Sequence, residues 1–118
     1  MKISILVSNQ YIKQKQDFDQ ASIVIGRPDP NNRFKVDLDT SPDRRVSRNH
    51  ARLFYQDSVW YICALTDANK VIRQRGINAT LYDVPLEPNM IDLLPDDEIR
   101  VGDTTIKVEY NTQNIDPP

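Results

Sequence analysis

The sequence has one cysteine, Cys63, and one histidine, His50. A lone thiol closes no internal disulfide, and a single Cys with a single His assembles no zinc cluster. The expected home is therefore reducing and cytoplasmic, with no metal and no other cofactor. Long apolar runs are missing too: none approaches the roughly 18 residues that a bilayer span needs, so no membrane insertion is expected. The opening MKISILVSNQ lacks the apolar stretch and small-residue cleavage site of a secretory signal, and its alternation fits a first strand. Nor is there an excess of one charge. Fifteen Lys and Arg against seventeen Asp and Glu leave a net charge of -2, which removes any global electrostatic case for nucleic acid or anionic membranes. What remains, 118 residues with 39% hydrophobic and 27% charged, is one globular domain's worth of chain.

Helical periodicity is also absent, since no window of eleven or more residues sustains an apolar stripe at i, i+3, i+4. Strand alternation is present instead in Lys2 to Val7, Ser22 to Ile25, His50 to Tyr55, Val59 to Leu65 and Thr104 to Tyr110. β-branched and aromatic residues dominate these segments, which predicts an all-β chain. Asp57-Ser58 and Gly102-Asp103 punctuate the runs as two-residue turns, the second fitting a primed hairpin in which φ > 0 is needed. A β-sandwich or a small barrel would give this pattern. Residues 1–110 form the domain, and the polar 111–118, ending in Pro-Pro, are expected to be a linker or tail.

The small net charge hides an uneven distribution. Residues 27–52 carry a surplus of three positive charges, residues 69–75 another three through Lys70, Arg73 and Arg75, and residues 83–118 a deficit of seven. Catalysis finds little support. The only histidine lies three residues after Ser47 at the approach to a strand, which is no sign of a nucleophile and base. Asp37 with Asp39, and Asp96, Asp97 and Glu98, are short acidic clusters of the kind solvated in turns. Cys63 sits in the apolar run VWYICAL and fits a small core residue.

The segment Ile23 to Leu53 says more. A strand ends at Gly26, Arg27 leaves it at a proline-containing turn, and a second loop delivers Arg44, Arg45, Ser47 and Arg48 just before the His50 strand. If both loops lie at one end of a sandwich, the Arg27 guanidinium and the Ser47 hydroxyl can converge on one anion, with the planar donor fork suited to phosphate. Gly26-Arg27 at a strand end, followed by Val46-Ser47-Arg48-Asn49-His50-Ala51, resembles the forkhead-associated (FHA) domain pattern of Gly-Arg and then Ser-Arg-x-His-Ala. Downstream, Leu94-Pro95-Asp96-Asp97-Glu98-Ile99-Arg100-Val101-Gly102 is similar to that family's closing Leu-x-x-Gly-Asp-x-Ile-x-x-Gly stretch, with Asp96 where glycine is usual. The similarity spans roughly residues 20 to 110.

The resemblance implies a β-sandwich of two mostly antiparallel sheets and about eleven strands, whose loops at one end hold phosphothreonine in an extended peptide of a protein partner. Position by position, Arg27 would contact the phosphate or peptide backbone, Ser47 would donate to the phosphate, and Arg48 would add a charge-assisted contact. Gly26 and His50 would support the loop. The family's further Asn-Gly-Thr element has two candidates. Asn78-Ala79-Thr80 keeps Asn and Thr and is preferred, with Thr66 to Arg75 taken as a long loop; Asn78 and Thr80 would then join the peptide site. Asn69-Lys70-Val71 is the rival, at a better distance from Trp60. Lys70, Arg73 and Arg75 would widen the positive field around the ligand. The expected protein is a monomeric, non-enzymatic module of a longer protein. Its alternatives are a degenerate domain of the same fold binding partners without phosphate, and a small barrel binding single-stranded nucleic acid through Arg44, Arg45, Arg48, Arg52, Phe54 and Tyr55.

Overall fold

A computed structural model describes residues 2–28, 30–31, 35–40, 43–67, 70–76 and 80–111. Eleven strands are present among them. The first six are β1 (Ile3–Ser8), β2 (Lys13–Phe18), β3 (Ser22–Gly26), β4 (Leu38–Asp39), β5 (Ala51–Gln56) and β6 (Val59–Ala64). The rest are β7 (Val71–Arg75), β8 (Thr80–Asp83), β9 (Ile91–Asp92), β10 (Glu98–Val101) and β11 (Thr104–Tyr110). They form a six-stranded sheet, β2-β1-β11-β10-β7-β8, and a five-stranded sheet, β4-β3-β5-β6-β9. Every strand pair is antiparallel except β3 with β4. The expected sandwich of two mostly antiparallel sheets is what the chain forms, and the barrel alternative is excluded.

Alternation explains how the sheets meet. Ile3, Ile5 and Val7 of β1, and Thr104, Ile106 and Val108 of β11, are buried while their neighbours point outward. Ile23, Ile25, Leu53, Trp60 and Ile62 supply the facing layer, which gives the inner surfaces interdigitating side chains. Asp57 and Ser58 both adopt positive φ, 53° and 68°, and close the β5–β6 hairpin where Gln56 pairs with Val59. Left-handed geometry at both central residues matches the twist of the flanking strands. Gly102, with φ of 55°, opens the β10–β11 turn, as its Gly-Asp sequence predicts. Asp96 also has positive φ, 76°, which accounts for glycine being the more comfortable residue there.

β2 and β7 depart from the sequence expectation. β2 (KQKQDF) has no apolar alternation, because it is an edge strand bound to β1 through backbone pairing, and its lysines blunt the open edge. The stretch Thr66 to Arg75 is not one long loop: Val71–Arg75 is an interior strand between β10 and β8. Its alternation is inverted, with Val71 and Arg73 buried while Ile72 and Gln74 face outward less completely buried. An inward arginine must be paired. Arg73 Nη1 donates to the Asp92 carbonyl at 2.7 Å and to Asp92 Oδ1 at 2.9 Å, and its guanidinium lies 4.7 Å from the Tyr82 ring centroid.

Arg75 forms a two-pronged pair with Asp97, Nε to Oδ1 and Nη2 to Oδ2, both at 2.7 Å. The Asp97 side chain is 2% exposed and also accepts the Leu94 N–H at 2.8 Å. Hydrogen bonding to Asp97 raises the Arg75 pKa further above its ordinary value. Because Asp92 belongs to the five-stranded sheet and Arg73 and Arg75 to the other, this cluster clasps the sheets together. Asp97→Ala would strand Arg75 and the Leu94 amide; the expected loss is about 2–4 kcal/mol, read as a fall in the urea midpoint at unchanged slope.

Candidate functional site

Gly26, Arg27, the 43–50 turn, Lys70 and the Gly102 turn meet at one end of the sandwich. The reason begins with Gly26. A Cβ there would sit 2.5 Å from the Arg48 carbonyl oxygen and 2.7 Å from that of Ser47, so only glycine lets the 47–48 backbone lie against the end of β3. The Gly26 carbonyl accepts the Thr40 amide at 3.1 Å and its hydroxyl at 3.2 Å. Arg27, half-buried, donates its amide to the Ser47 carbonyl at 3.2 Å and its Nε to the Val46 carbonyl at 2.6 Å. These two bonds fix the plane of the guanidinium against the loop that carries Ser47.

His50 is fully buried and uses every hydrogen-bonding group it has. Its amide donates to the Ile25 carbonyl at 3.1 Å and its carbonyl accepts the Leu65 amide at 3.0 Å. Nδ1 lies 3.0 Å from the Ser47 amide and must accept from it; Nε2 lies 3.1 Å from the Lys70 carbonyl and must donate to it. The partners therefore define the neutral Nε2–H tautomer. Burial lowers the His50 pKa, outweighing the Lys70 carbonyl and the nearby Asp43 carboxylate, which raise it.

Asp43 is the support residue that the sequence did not single out. Buried at the start of the turn, its Oδ1 accepts the Arg45 amide at 2.9 Å, and its Oδ2 accepts the Asp103 amide at 2.8 Å and the Thr104 hydroxyl at 2.7 Å. Asn9 Nδ2 donates to Thr104 Oγ1 at 3.1 Å, so the 43–48 turn is bonded to the β10–β11 hairpin and through it to the β1–β2 turn. The signal available was local: an aspartate two residues before Arg45 is placed to accept that residue's amide.

Comparison with protein-family models matches residues 23–102 to the family described as FHA domain. The chain belongs to the FHA domain family. Searched against curated proteins, it has no match. Solved structures give the same fold. The FHA domain of CT664 protein from Chlamydia trachomatis is 22% identical with a TM-score of 0.68, over 94% of this chain and 100% of that one. An FHA domain of a hypothetical protein from Arabidopsis thaliana is 17% identical with a TM-score of 0.72, over 99% and 88%. A third, solved in a structural and functional analysis of phosphothreonine-dependent FHA domain interactions, is 19% identical with a TM-score of 0.66, over 94% and 98%.

Of the residues singled out in the sequence, the FHA fold brings together Gly26, Arg27, Ser47, Arg48 and His50. Thr80 is not among them. It opens β8 opposite Arg75, five residues along β7 from Lys70 and so about 17 Å away at strand rise. Thr80 itself therefore lies toward the opposite end of the sandwich, and the expectation that it joins Ser47 is not met. Asn78 and Asn69 lie outside the described residues. Lys70, next to Asn69 in the chain, reaches His50, so the β6–β7 connection is the third loop at this end. Arg73 and Arg75 add nothing to its field, being paired with Asp92 and Asp97 at the far end. Arg52 pairs with Glu87 and lies 5.7 Å from the Phe54 ring centroid, while Tyr55 packs against Trp60. The residues suggested for nucleic-acid binding are thus not one surface.

Two outcomes are expected at this end of the FHA domain. Gly26→Ala forces its new methyl into backbone and should cost about 1–3 kcal/mol or more, with amide chemical-shift changes concentrated at Ser47, Arg48 and His50. Because the folded-state pKa of His50 is lowered, its neutral form stabilises the fold fully above about pH 6.5, its ordinary value, and that contribution declines as pH falls from there toward the lowered value. Urea midpoints at pH 7.5 and 5.5 should differ in the wild type by a component absent from His50→Gln.

Proposed function

We propose that this FHA domain is a phosphothreonine-binding module of a longer, cytoplasmic protein, and that its ligand is an extended segment of a protein partner. FHA domains are protein-interaction modules. The observation that carries the finer reading is the pair of bonds holding Arg27 against the Val46 and Ser47 carbonyls, which keeps an arginine fork beside a serine-bearing loop. A phosphothreonine brings about -1.5 to -2 charge and three acceptor oxygens, and an arginine with a neutral hydroxyl beside it suits that group. In this reading Arg27 and Ser47 meet the phosphate and Arg48 adds a charged contact. The third structural relative, from work on phosphothreonine-dependent interactions, supports the same ligand.

The module binds without catalysing. Both His50 ring nitrogens are engaged with backbone groups, Ser47 N–H and Lys70 C=O, which leaves the imidazole in a bracing role and not as a base for the Ser47 hydroxyl. One near-neutral domain with Arg27 and Lys70 at the end that carries Ser47 fits a single doubly charged group better than a polyanion, so nucleic acid is not the partner, and the module works as a monomer.

Fluorescence anisotropy with a phosphothreonine peptide library tests the proposal. Binding is expected for phosphorylated peptides only, weakening as salt rises. Arg27→Ala should lower affinity by at least about tenfold, the scale of a charge-assisted hydrogen bond, and Ser47→Ala by about two- to tenfold. Equal binding of unphosphorylated peptides would replace this reading with a phosphate-independent interaction domain.

A further inference from the structure

The outer face of the six-stranded sheet is concave where β2, β1, β11 and β10 lie side by side. A shallow cavity of about 720 Å³ there has Leu6, Ser8 and Thr105 on its floor, Lys13, Lys15 and Lys107 around them, and Glu98 at one side. Strand register puts these side chains in two rows. Lys15, Leu6 and Lys107 are opposite one another across β2, β1 and β11, and Lys13, Ser8 and Thr105 form the next row toward the Gly102 turn. On β10, Glu98 continues the first row and Arg100 the second. The two rows thus set Lys13, Lys15, Lys107 and Arg100 against Glu98, while the acids Asp17 and Glu109 lie one row further, beside Ser4.

The positive charge here is weakly compensated. Lys15 meets Glu109 at 3.3 Å with both side chains more than half exposed, and Lys107 meets Glu98 at 3.9 Å with Lys107 57% exposed. Long, exposed pairs of this kind contribute little and yield readily to a better partner. Lys13 forms no ion pair among the described residues. Leu6 is half-buried, and lysine stems beside it extend the apolar floor while their ammonium groups stay in water.

The backbone decides what can lie on this face. β1, β11 and β10 are each paired on both sides, so their amides and carbonyls are used in the plane of the sheet and offer nothing to a chain lying above it. An occupant has to satisfy its own backbone, and an α-helix does so. Lys15 and Lys107 are two strands apart, about 10 Å, with Leu6 between them. Residues i and i+7 of a helix are about 10.5 Å apart on one face, with i+3 and i+4 midway. We propose that this face docks an acidic amphipathic helix of a protein partner, with Glu or Asp at i and i+7 on Lys15 and Lys107 and an apolar side chain at i+3 or i+4 on Leu6. Arg27 and Ser47 belong to loops of the other sheet, and the proposal does not rest on phosphothreonine binding.

A library of stapled helical peptides randomised at i, i+3, i+4 and i+7, panned on the wild-type domain, tests this. Selected peptides should carry Glu or Asp at i and i+7 with an apolar residue between, and should shift the Leu6, Ser8, Thr105 and Lys107 amides of the ¹⁵N-labelled domain while leaving Ser47 and His50 in place. K15Q/K107Q, checked for folding by its amide spectrum, should bind them at least about fivefold more weakly, the scale of two exposed ion pairs. The same residues in scrambled order should also lose at least about fivefold. Selection of no acidic helix overturns the proposal, as do binding that survives K15Q/K107Q, shifts centred on the 43–50 turn, or equal binding of the scrambled peptide, which reports charge attraction alone. Vesicles of phosphatidylserine and phosphatidylcholine form a second arm: if wild type sediments with them, K15Q/K107Q does not, and no helix is selected, the face meets anionic lipid and the helix is overturned.

Discussion

His50 holds four separate pieces of chain at fixed positions, and the arrangement of this end of the molecule depends on it. Through its backbone it pairs with Ile25 and Leu65, and through its ring it pairs with Ser47 and Lys70. Two of these partners lie on loops that have no strand neighbour of their own at those positions. A buried loop amide or carbonyl without a partner costs on the order of 1–3 kcal/mol, so one neutral imidazole satisfies two such groups at once. Only the Nε2–H tautomer does this. A protonated ring would present a second donor to the Ser47 amide, and burial lowers its pKa against the opposing pull of the Lys70 carbonyl and the Asp43 carboxylate.

Gly26 and Asp43 complete that constraint from either side. Gly26 allows backbone to touch backbone where β3 ends, and Asp43 supplies a buried acceptor for three donors around the Gly102 turn. The resulting loops are held by main-chain hydrogen bonds and not by long exposed side chains. A ligand meeting them has little ordering to impose, so fewer contacts suffice for a given affinity. This suits a recognition surface in which one charged group dominates and the peptide around it is extended.

The fold and half of the site were legible in the sequence because their signals are local. β1, β3, β5, β6 and β11 show one-face alternation, and Gly26-Arg27 and Ser47 to His50 form compact patterns whose elements meet by simple loop closure. β2 was not legible, since an edge strand held by backbone pairing needs no apolar face. β7 was not legible for the opposite reason: its inward arginines depend on Asp92 and Asp97, about twenty residues away in the chain, and no local pattern announces a long-range ion pair. Missing that strand displaced the third loop by one connection, which is how Thr80 came to be expected beside Ser47.

The same strand explains why counting charge along the chain misleads about fields in space. Lys70, Arg73 and Arg75 are one basic cluster in sequence, yet strand rise separates their ends by about 17 Å. Alternation and burial send Arg73 and Arg75 into an acidic clasp between the sheets, where they contribute to stability and are invisible to a ligand. Lys70, one residue before the strand begins, stays in solvent beside Arg45 and Arg100. Asp92 and Asp97, which belong to the acidic C-terminal third, are engaged at the clasp end. A net charge of -2 is therefore compatible with a positive end, because pairing cancels opposite charges where they touch and the remaining cations act within about a Debye length, roughly 8 Å at physiological salt. Position on the strand, and not membership of a basic run, determines which of these cations can meet an anion.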